Sequence, residues 1–323
     1  MNEALKQLSS RNRQLLDVLE KTQGKTEVDV AWRKGLLQFA AGGLAGVTAR
    51  TMVAPIDRVK ILMQTQHVAA QGSKANANKY NGLLQSLRLI IAEDGVRGLW
   101  RSNFANVVRV APYSATQFAS YDFYKNKLGL DAERKKGDAK PSFREQFMQR
   151  ILCGGLAGLT ATTVTHPLDL IRLRVATDNE VKGISDAFFQ ILKEGGPINL
   201  YRGWVPTVVS LCPFIAVNFT AFDVYKKSAY GEDKPSTLGT LAIGAAAGLT
   251  AQSVCHPLDT LRRRLQMKGH TYNGMLDAIK RISAEEGVQG FYRGVIPNAV
   301  KIVPNNAIRF LVYTTLKDIF ECN

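Results

Sequence analysis

The chain of 323 residues carries 42 Lys and Arg against 27 Asp and Glu, a net charge of +15. That length suits two average domains or one array of three repeats, and that charge suits an anionic partner. Nucleic acid is not expected: no RNP, zinc or helix-turn-helix pattern occurs, and the basic residues fall at loops and helix ends rather than in a stripe.

Residues 1–35 are polar and mixed in charge, with Leu15, Leu16 and Leu19 on a short amphipathic helix. Glu3, Asp17 and Glu20 sit badly with an acid-poor transit peptide. A long helix is predicted over 36–65, carrying Gly42-Gly43-Leu44-Ala45-Gly46 and then Pro55-Ile56-Asp57-Arg58-Val59-Lys60. The polar stretch 66–79 reads as a projecting loop. It precedes a short amphipathic segment, Leu83 to Ala92, an acid-glycine step at Asp94-Gly95, an aromatic-basic pair at Trp100-Arg101, and a second long helix over 102–127. Residues 129–141 form a charged linker.

The same order then recurs twice. Helix 143–175 carries Gly154-Gly155-Leu156-Ala157-Gly158 and Pro167-Leu168-Asp169-Leu170-Ile171-Arg172; Glu194-Gly195, Tyr201-Arg202 and helix 205–228 follow. Helix 237–266 carries Gly244-Ala245-Ala246-Ala247-Gly248 and Pro257-Leu258-Asp259-Thr260-Leu261-Arg262; Glu286-Gly287, Tyr292-Arg293 and helix 296–320 follow. Thirteen positions separate the first glycine from the proline each time (55−42, 167−154, 257−244). The chain therefore reads as an arm, 1–35, and three repeats, 36–129, 143–230 and 237–321, with no sheet.

A mean hydropathy near zero suggests a soluble chain, but the apolar residues are clustered. Ile151–Leu168, Gly203–Phe222 and Pro235–Leu258 contain no Asp, Glu, Lys or Arg, and each approaches the roughly 20 residues of a membrane-crossing helix. Arg50, Arg109, and Lys301 with Arg309 interrupt the other three long helices, which suits walls of a water-filled cavity. The expected class is an all-α membrane protein, and these uncharged runs disfavour the alternative of a soluble helical-repeat scaffold.

Cys153, Cys212, Cys255 and Cys322 make no CxxC or CxxH spacing, so neither metal nor cofactor is expected. His166 and His256 directly precede signature prolines and read as packing or capping groups. With no nucleophile-base constellation, the chain is not expected to be an enzyme.

In each triplet the acid and base are three residues apart on one helix face, beside a proline that bends the helix. Three such bends round one axis bring three carboxylates and three cations together. The expected pairs are Asp57 with Arg172, Asp169 with Arg262 and Asp259 with Lys60. A closed ring satisfies charges that apolar surroundings do not tolerate singly, and it can act as a gate because water re-solvates the ions on opening.

The three P-x-[DE]-x-x-[KR] signatures, the G-xxx-G positions and the acid-glycine steps resemble the mitochondrial carrier family, over residues 36 to 320. That resemblance implies six transmembrane helices around a central cavity, both chain ends on the cytosolic side, and alternating access with the ring as the matrix-side gate. It implies glutamine braces at Gln64 and Gln266, nine residues after the proline; Ala176 stands at the third such position. It implies a second, cytosolic-side network from Tyr121-Asp122-x-x-Lys125, Phe222-Asp223-x-x-Lys226 and Tyr313-Thr314-x-x-Lys317, where threonine replaces the third acid. Its contact positions, 13 residues before each of these acid positions, are Arg109, Ser210 with Leu211, and Lys301.

Two cations in one cavity suit a polyphosphate, with Arg supplying a bidentate fork. Arg50 resembles the basic residue that adenine-nucleotide carriers place on the first helix. Arg50, Arg109 and Lys301 are then expected to hold phosphates, with Phe214 or Tyr113 stacking on a purine. The segments around Val110, Pro213 and Pro297 look most like the plastid envelope and thylakoid adenine-nucleotide carriers. After Asp259, Arg262-Arg263-Arg264-Leu265-Gln266-Met267 departs from the R-R-R-M-M-M of the strict mitochondrial ADP/ATP exchanger. The expected activity is adenine-nucleotide exchange by a monomer in an organelle inner membrane, plastid rather than mitochondrial, with anionic lipid as a further partner. Phosphoadenosine phosphosulfate, coenzyme A and ATP-Mg/phosphate are alternative substrates.

Overall fold

The computed structural model describes residues 37, 40–69, 79–128, 143–231, 236–269 and 272–321. Among them every regular element is helical. The expected arm, the 129–141 linker and most of the 66–79 loop lie outside the described residues. The described residues between 47 and 308 form one compact unit; the described residues up to Gly46 together with those from Arg309 onward form another.

In chain order the elements are α1 (40–69), α2 (Leu83–Gly98), α3 (Asn103–Val108), α4 (Val110–Lys127), α5 (Phe143–Thr177), α6 (Ile184–Gly195), a 3-10 turn (Pro197–Tyr201), α7 (Trp204–Tyr230), α8 (Thr237–Val254), α9 (His256–Gln266), α10 (Met275–Glu285), α11 (Gly287–Phe291) and α12 (Val295–Glu321). Two helices expected to be continuous are interrupted. The stretch 102–127 breaks at Arg109, three residues before Pro112. The stretch 237–266 breaks at Cys255, where Pro257 lacks the backbone donor that a continuous helix needs. Pro167 is instead carried inside an unbroken α5.

The charge-free run before Tyr230 belongs to the one stretch, Pro197–Tyr230, that is long and apolar enough to cross a membrane, among the described residues. Only 17% of its most apolar window is buried. Val205, Val209, Phe219 and Val224 point outward, as do Leu152 and Val164 on α5 and Phe118 and Phe123 on α4. Apolar helices exposed in this way match a lipid surround and not the core of a soluble scaffold.

Each short amphipathic helix buries two residues four apart against the signature helix of its own repeat. Ile90 of α2 sits with Val59 and Leu62, and Ser86 one turn before it is buried. Ala187 and Ile191 of α6 meet Leu170, Ile171 and Val175. Ala278 and Ile282 of α10 meet Leu261 and Leu265. An isoleucine buried in this way contributes about 1.5–3 kcal/mol. A glycine in the left-handed region then turns the chain: Gly95, Gly196 and Gly287, at φ +71, +71 and +66°. The acids beside these turns are not solvent-facing ends. Arg174 holds Glu194 and Arg264 holds Glu286, both arginines lying seven residues after the signature proline. In the first repeat that position is Leu62, and Arg58, three after the proline, holds Asp94 instead.

Glu286 also receives Arg293 at 3.1 Å and His67 at 3.3 Å. Burial pushes its carboxyl up, but the hydrogen bond and charge of Arg264, then His67 and Arg293, outweigh that and hold it below the ordinary carboxylate range. Its stabilising contribution is therefore complete above the unfolded value, about 4.3, and is lost as pH falls through the lower folded value. Glu286→Gln strands the fully buried Arg264, and removing one partner of a buried pair costs about 3–5 kcal/mol. Thermal unfolding of the detergent-solubilised protein at neutral pH should show a clearly lower midpoint for the variant. An unchanged midpoint refutes this account of the acid-glycine step.

Candidate functional site

The signature prolines and their bends bring the charged triplets of α1, α5 and α9 together within the 47–308 unit. Arg172 Nη2 lies 3.0 Å from Asp57 Oδ2, Arg262 Nη2 3.4 Å from Asp169 Oδ2, and Lys60 Nζ 2.6 Å from Asp259 Oδ2. Each carboxylate also takes a second cation. Lys301 Nζ reaches Asp57 Oδ1 at 2.6 Å, Arg109 Nε reaches Asp169 Oδ1 at 2.8 Å, and Arg263 Nε stands 3.7 Å from Asp259 Oδ1. Lys60 is only 3% exposed and no other member of the ring more than 25%, so these attractions are stronger than at a surface.

The two glutamines differ in what they do. Gln64 Nε2 donates to Asp259 Oδ2 at 3.3 Å and to Thr260 Oγ1 at 3.2 Å, so it steadies the Lys60–Asp259 pair. Gln266 instead donates to Thr207 Oγ1 of α7 at 3.4 Å. Both glutamines pack against a left-handed glycine just before a long helix, Gln266 on Gly203 before α7 and Gln64 on Gly294 before α12. A Cβ on Gly203 would lie 2.5 Å from Gln266 Cγ, and one on Gly294 3.3 Å from Gln64 Cγ. The equivalent of these glycines in the first repeat is Ser102, and the equivalent of the glutamines is Ala176. Where the large side chain is missing, the glycine is missing too.

The histidines before the prolines are part of the same joints. His166 Nε2 lies 3.1 Å from Arg202 O and His256 Nε2 3.0 Å from Arg293 O. Their rings stack on Tyr201 and Tyr292. The G-xxx-G glycines do less than the motif suggests: a Cβ on Gly154, Gly158, Gly244 or Gly248 meets nothing within 4 Å. The buried stripe lies one residue away, at Cys153, Ala157 and Ala161 on α5 and at Ala247 and Ala251 on α8.

Above the ring lies a cavity of about 260 Å³. It gathers Arg109, Tyr113, Ser210, Leu211 and Phe214, with Asp259 and Arg262 of the ring also in its wall. Thr162, Thr207 and Gln252 complete its polar lining and were not singled out from the sequence. The signal for two of them was present: Thr162 and Gln252 stand five residues before Pro167 and Pro257, as Arg50 stands before Pro55. The Arg109 guanidinium lies 4.9 Å over the Tyr113 ring. One face of that ring is therefore covered by the guanidinium, and Phe214 lines the same cavity. Arg50 and Lys301 are not among the residues lining this cavity.

At the far ends of α4 and α7, Asp122 and Asp223 are exposed, and neither forms an ion pair among the described residues. Lys125 and Lys226 are half-buried there. Lys317 belongs to the other unit, on the last turns of α12.

Comparison with known proteins accords with this arrangement. The profile of the family described as mitochondrial carrier protein matches residues 31–131, 143–232 and 233–323. A thylakoid ADP,ATP carrier of Arabidopsis thaliana is 38% identical over 286 residues, 88% of this chain and 66% of the relative. A mitochondrial adenine nucleotide transporter of the same plant is 34% identical over 330 residues, 93% of this chain and 91% of the relative. A mitochondrial coenzyme A transporter of Xenopus laevis is 38% identical over 278 residues, 82% of this chain and 80% of the relative.

The glycine-glutamine joints give a test. Gly203→Ala combines a strained backbone with a 2.5 Å overlap on Gln266 and should lower the thermal midpoint, as overpacking costs about 1–3 kcal/mol. Adding Gln266→Ala should recover part of that loss. Equal midpoints for the single and double variants contradict the joint.

Proposed function

The chain belongs to the mitochondrial carrier family, and we propose that it exchanges adenine nucleotides of the ADP/ATP type across an organellar inner membrane. The family fold is all-α and built of three repeats. The likeness to a thylakoid carrier supports a plastid envelope or thylakoid location over a mitochondrial one. The same reading takes 36–129, 143–230 and 237–321 as the carrier repeats, acting as a monomer.

The observation that carries this reading is the double engagement of Arg109 and Lys301. These are the cations assigned to substrate phosphates, and both rest on ring carboxylates. A polyphosphate in the cavity offers alternative oxygens to Arg109 in its wall, with bidentate contact, and one that extends to the ring offers them to Lys301 as well. Asp169 and Asp57 are then left with one cation each, Arg262 and Arg172. The substrate thus favours the open ring over the closed one, and such differential affinity is what a ligand needs in order to shift a conformational equilibrium. Arg50 supplies further positive charge on α1, Ser210 and Leu211 shape the pocket, and Phe214 stacks on the purine.

As the matrix-side gate opens, the cytosolic-side network closes. In this reading it is built from Asp122, Lys125, Asp223, Lys226 and Lys317. With Thr314 at the third acid position it makes at most two full ion pairs, and it is the weaker lock. Coenzyme A is a second reading, favoured by the 38% identity to a coenzyme A transporter; it shares the adenosine-phosphate chemistry.

Purified protein in liposomes loaded with ADP and challenged with ADP, ATP, AMP, phosphoadenosine phosphosulfate and coenzyme A should exchange ADP and ATP fastest. Exchange confined to coenzyme A would select the second reading. Arg109→Ala should slow ADP exchange about tenfold or more, as expected for losing a charged hydrogen bond; near-normal exchange removes Arg109 from the site. Lys60→Asp and Asp259→Lys should each abolish exchange, and the double swap should restore part of it. This pair is the one to swap, because its second cation, Arg263, is the most distant of the three, at 3.7 Å. No restoration argues against the ring as a gate.

A further inference from the structure

The phosphate end of the cavity accounts for charge but not for the base. A purine is identified by donors and acceptors placed side by side at its edge, and most polar groups in the cavity wall are already committed. Thr207 Oγ1 donates to Gly203 O and accepts from Gln266. Ser210 Oγ donates to Thr207 O. Arg109, Arg262 and Asp259 are held in the ring. Gln252 is the one carboxamide in the lining. It is half-buried and makes no hydrogen bond among the described residues.

We propose that Gln252 is the base-reading residue, its amide meeting the N6–N7 edge of adenine while Phe214 covers the ring face. This rests on the adenine-nucleotide reading above. A carboxamide sets one acceptor beside one donor. Adenine offers the complement, an N6 amino donor beside the N7 acceptor, whereas guanine and hypoxanthine offer two acceptors, O6 and N7. Flipping the amide does not rescue the mismatch, since one acceptor still faces the amide oxygen. The location fits the chemistry. Gln252 occupies the third-repeat equivalent of Arg50 and Thr162, so one ring of equivalent positions supplies a cation, a hydroxyl and an amide. A cavity of about 260 Å³ is just under the roughly 300–1,000 Å³ of small-molecule sites, with room for a base.

The test is competition in liposomes that exchange ADP, using ATP, GTP and 7-deaza-ATP as competitors against wild type and Gln252→Met. Wild type should prefer ATP to GTP, and ATP to 7-deaza-ATP, each by about tenfold, the discrimination a good bidentate amide pair gives. Gln252→Met should keep GTP exchange, which shows that it is folded, and bring the three competitors to within about twofold of one another. Two results overturn the proposal while leaving the transport reading intact. One is a Gln252→Met protein with the full ATP preference. The other is a wild type that does not distinguish ATP from 7-deaza-ATP, a measurement that needs no variant to fold. A wild type that exchanges no adenine nucleotide overturns both.

Discussion

Three aspartates stand in helices whose surroundings are otherwise apolar, and each is satisfied by two cations from elsewhere in the chain or one turn along its own helix. An ionised carboxylate in such a place is tolerated only when paired, and removing one partner leaves a charge that neither lipid nor packed side chains can solvate. This requirement sets the positions of the bends and the register of the repeats. It also brings Arg109 and Lys301 toward the ring. The apolar outward faces of α4, α5 and α7 make the central pairing necessary, since they leave no other place for the charge.

A second set of ion pairs fastens each short helix to its signature helix, and here the repeats diverge. Arg174 and Arg264 hold the acids of the second and third repeats, while Arg58 takes over from Leu62 in the first. The glycine-glutamine joints diverge together in the same way, with Ser102 and Ala176 replacing both members at once. Threefold likeness is therefore kept in function and geometry but not residue by residue. A position can be read across repeats only along with whatever packs on it.

The triplet register made the ring legible in the sequence, because equal spacing puts equal charges at equal heights and leaves only two directions for pairing round the ring. The clustering of Arg109, Tyr113, Ser210, Leu211 and Phe214 was expected from the resemblance to the carrier family and not from spacing. What was not legible depends on where long side chains swing. Nothing in the spacing says that Arg109 lies over Tyr113 while its Nε rests on Asp169, or that Gln266 turns to Thr207 rather than to the ring. The helix breaks at Arg109 and Cys255 were hidden because Pro167 shows that the same residue type can be accommodated without one. The glycine motif pointed to the right helices but to the wrong face, since the buried residues are the alanines beside the glycines.

In the proposed reading Arg109 and Lys301 serve the lock and the cargo alike, and this bears on leakage. A small ion with a single negative group engages one of these cations at a time, and the other stays on its carboxylate. A solute must carry two separated anionic groups to draw both away together. On that reading chloride and inorganic phosphate leave the ring closed, and the barrier to ions is kept by the same two side chains that are proposed to admit the nucleotide.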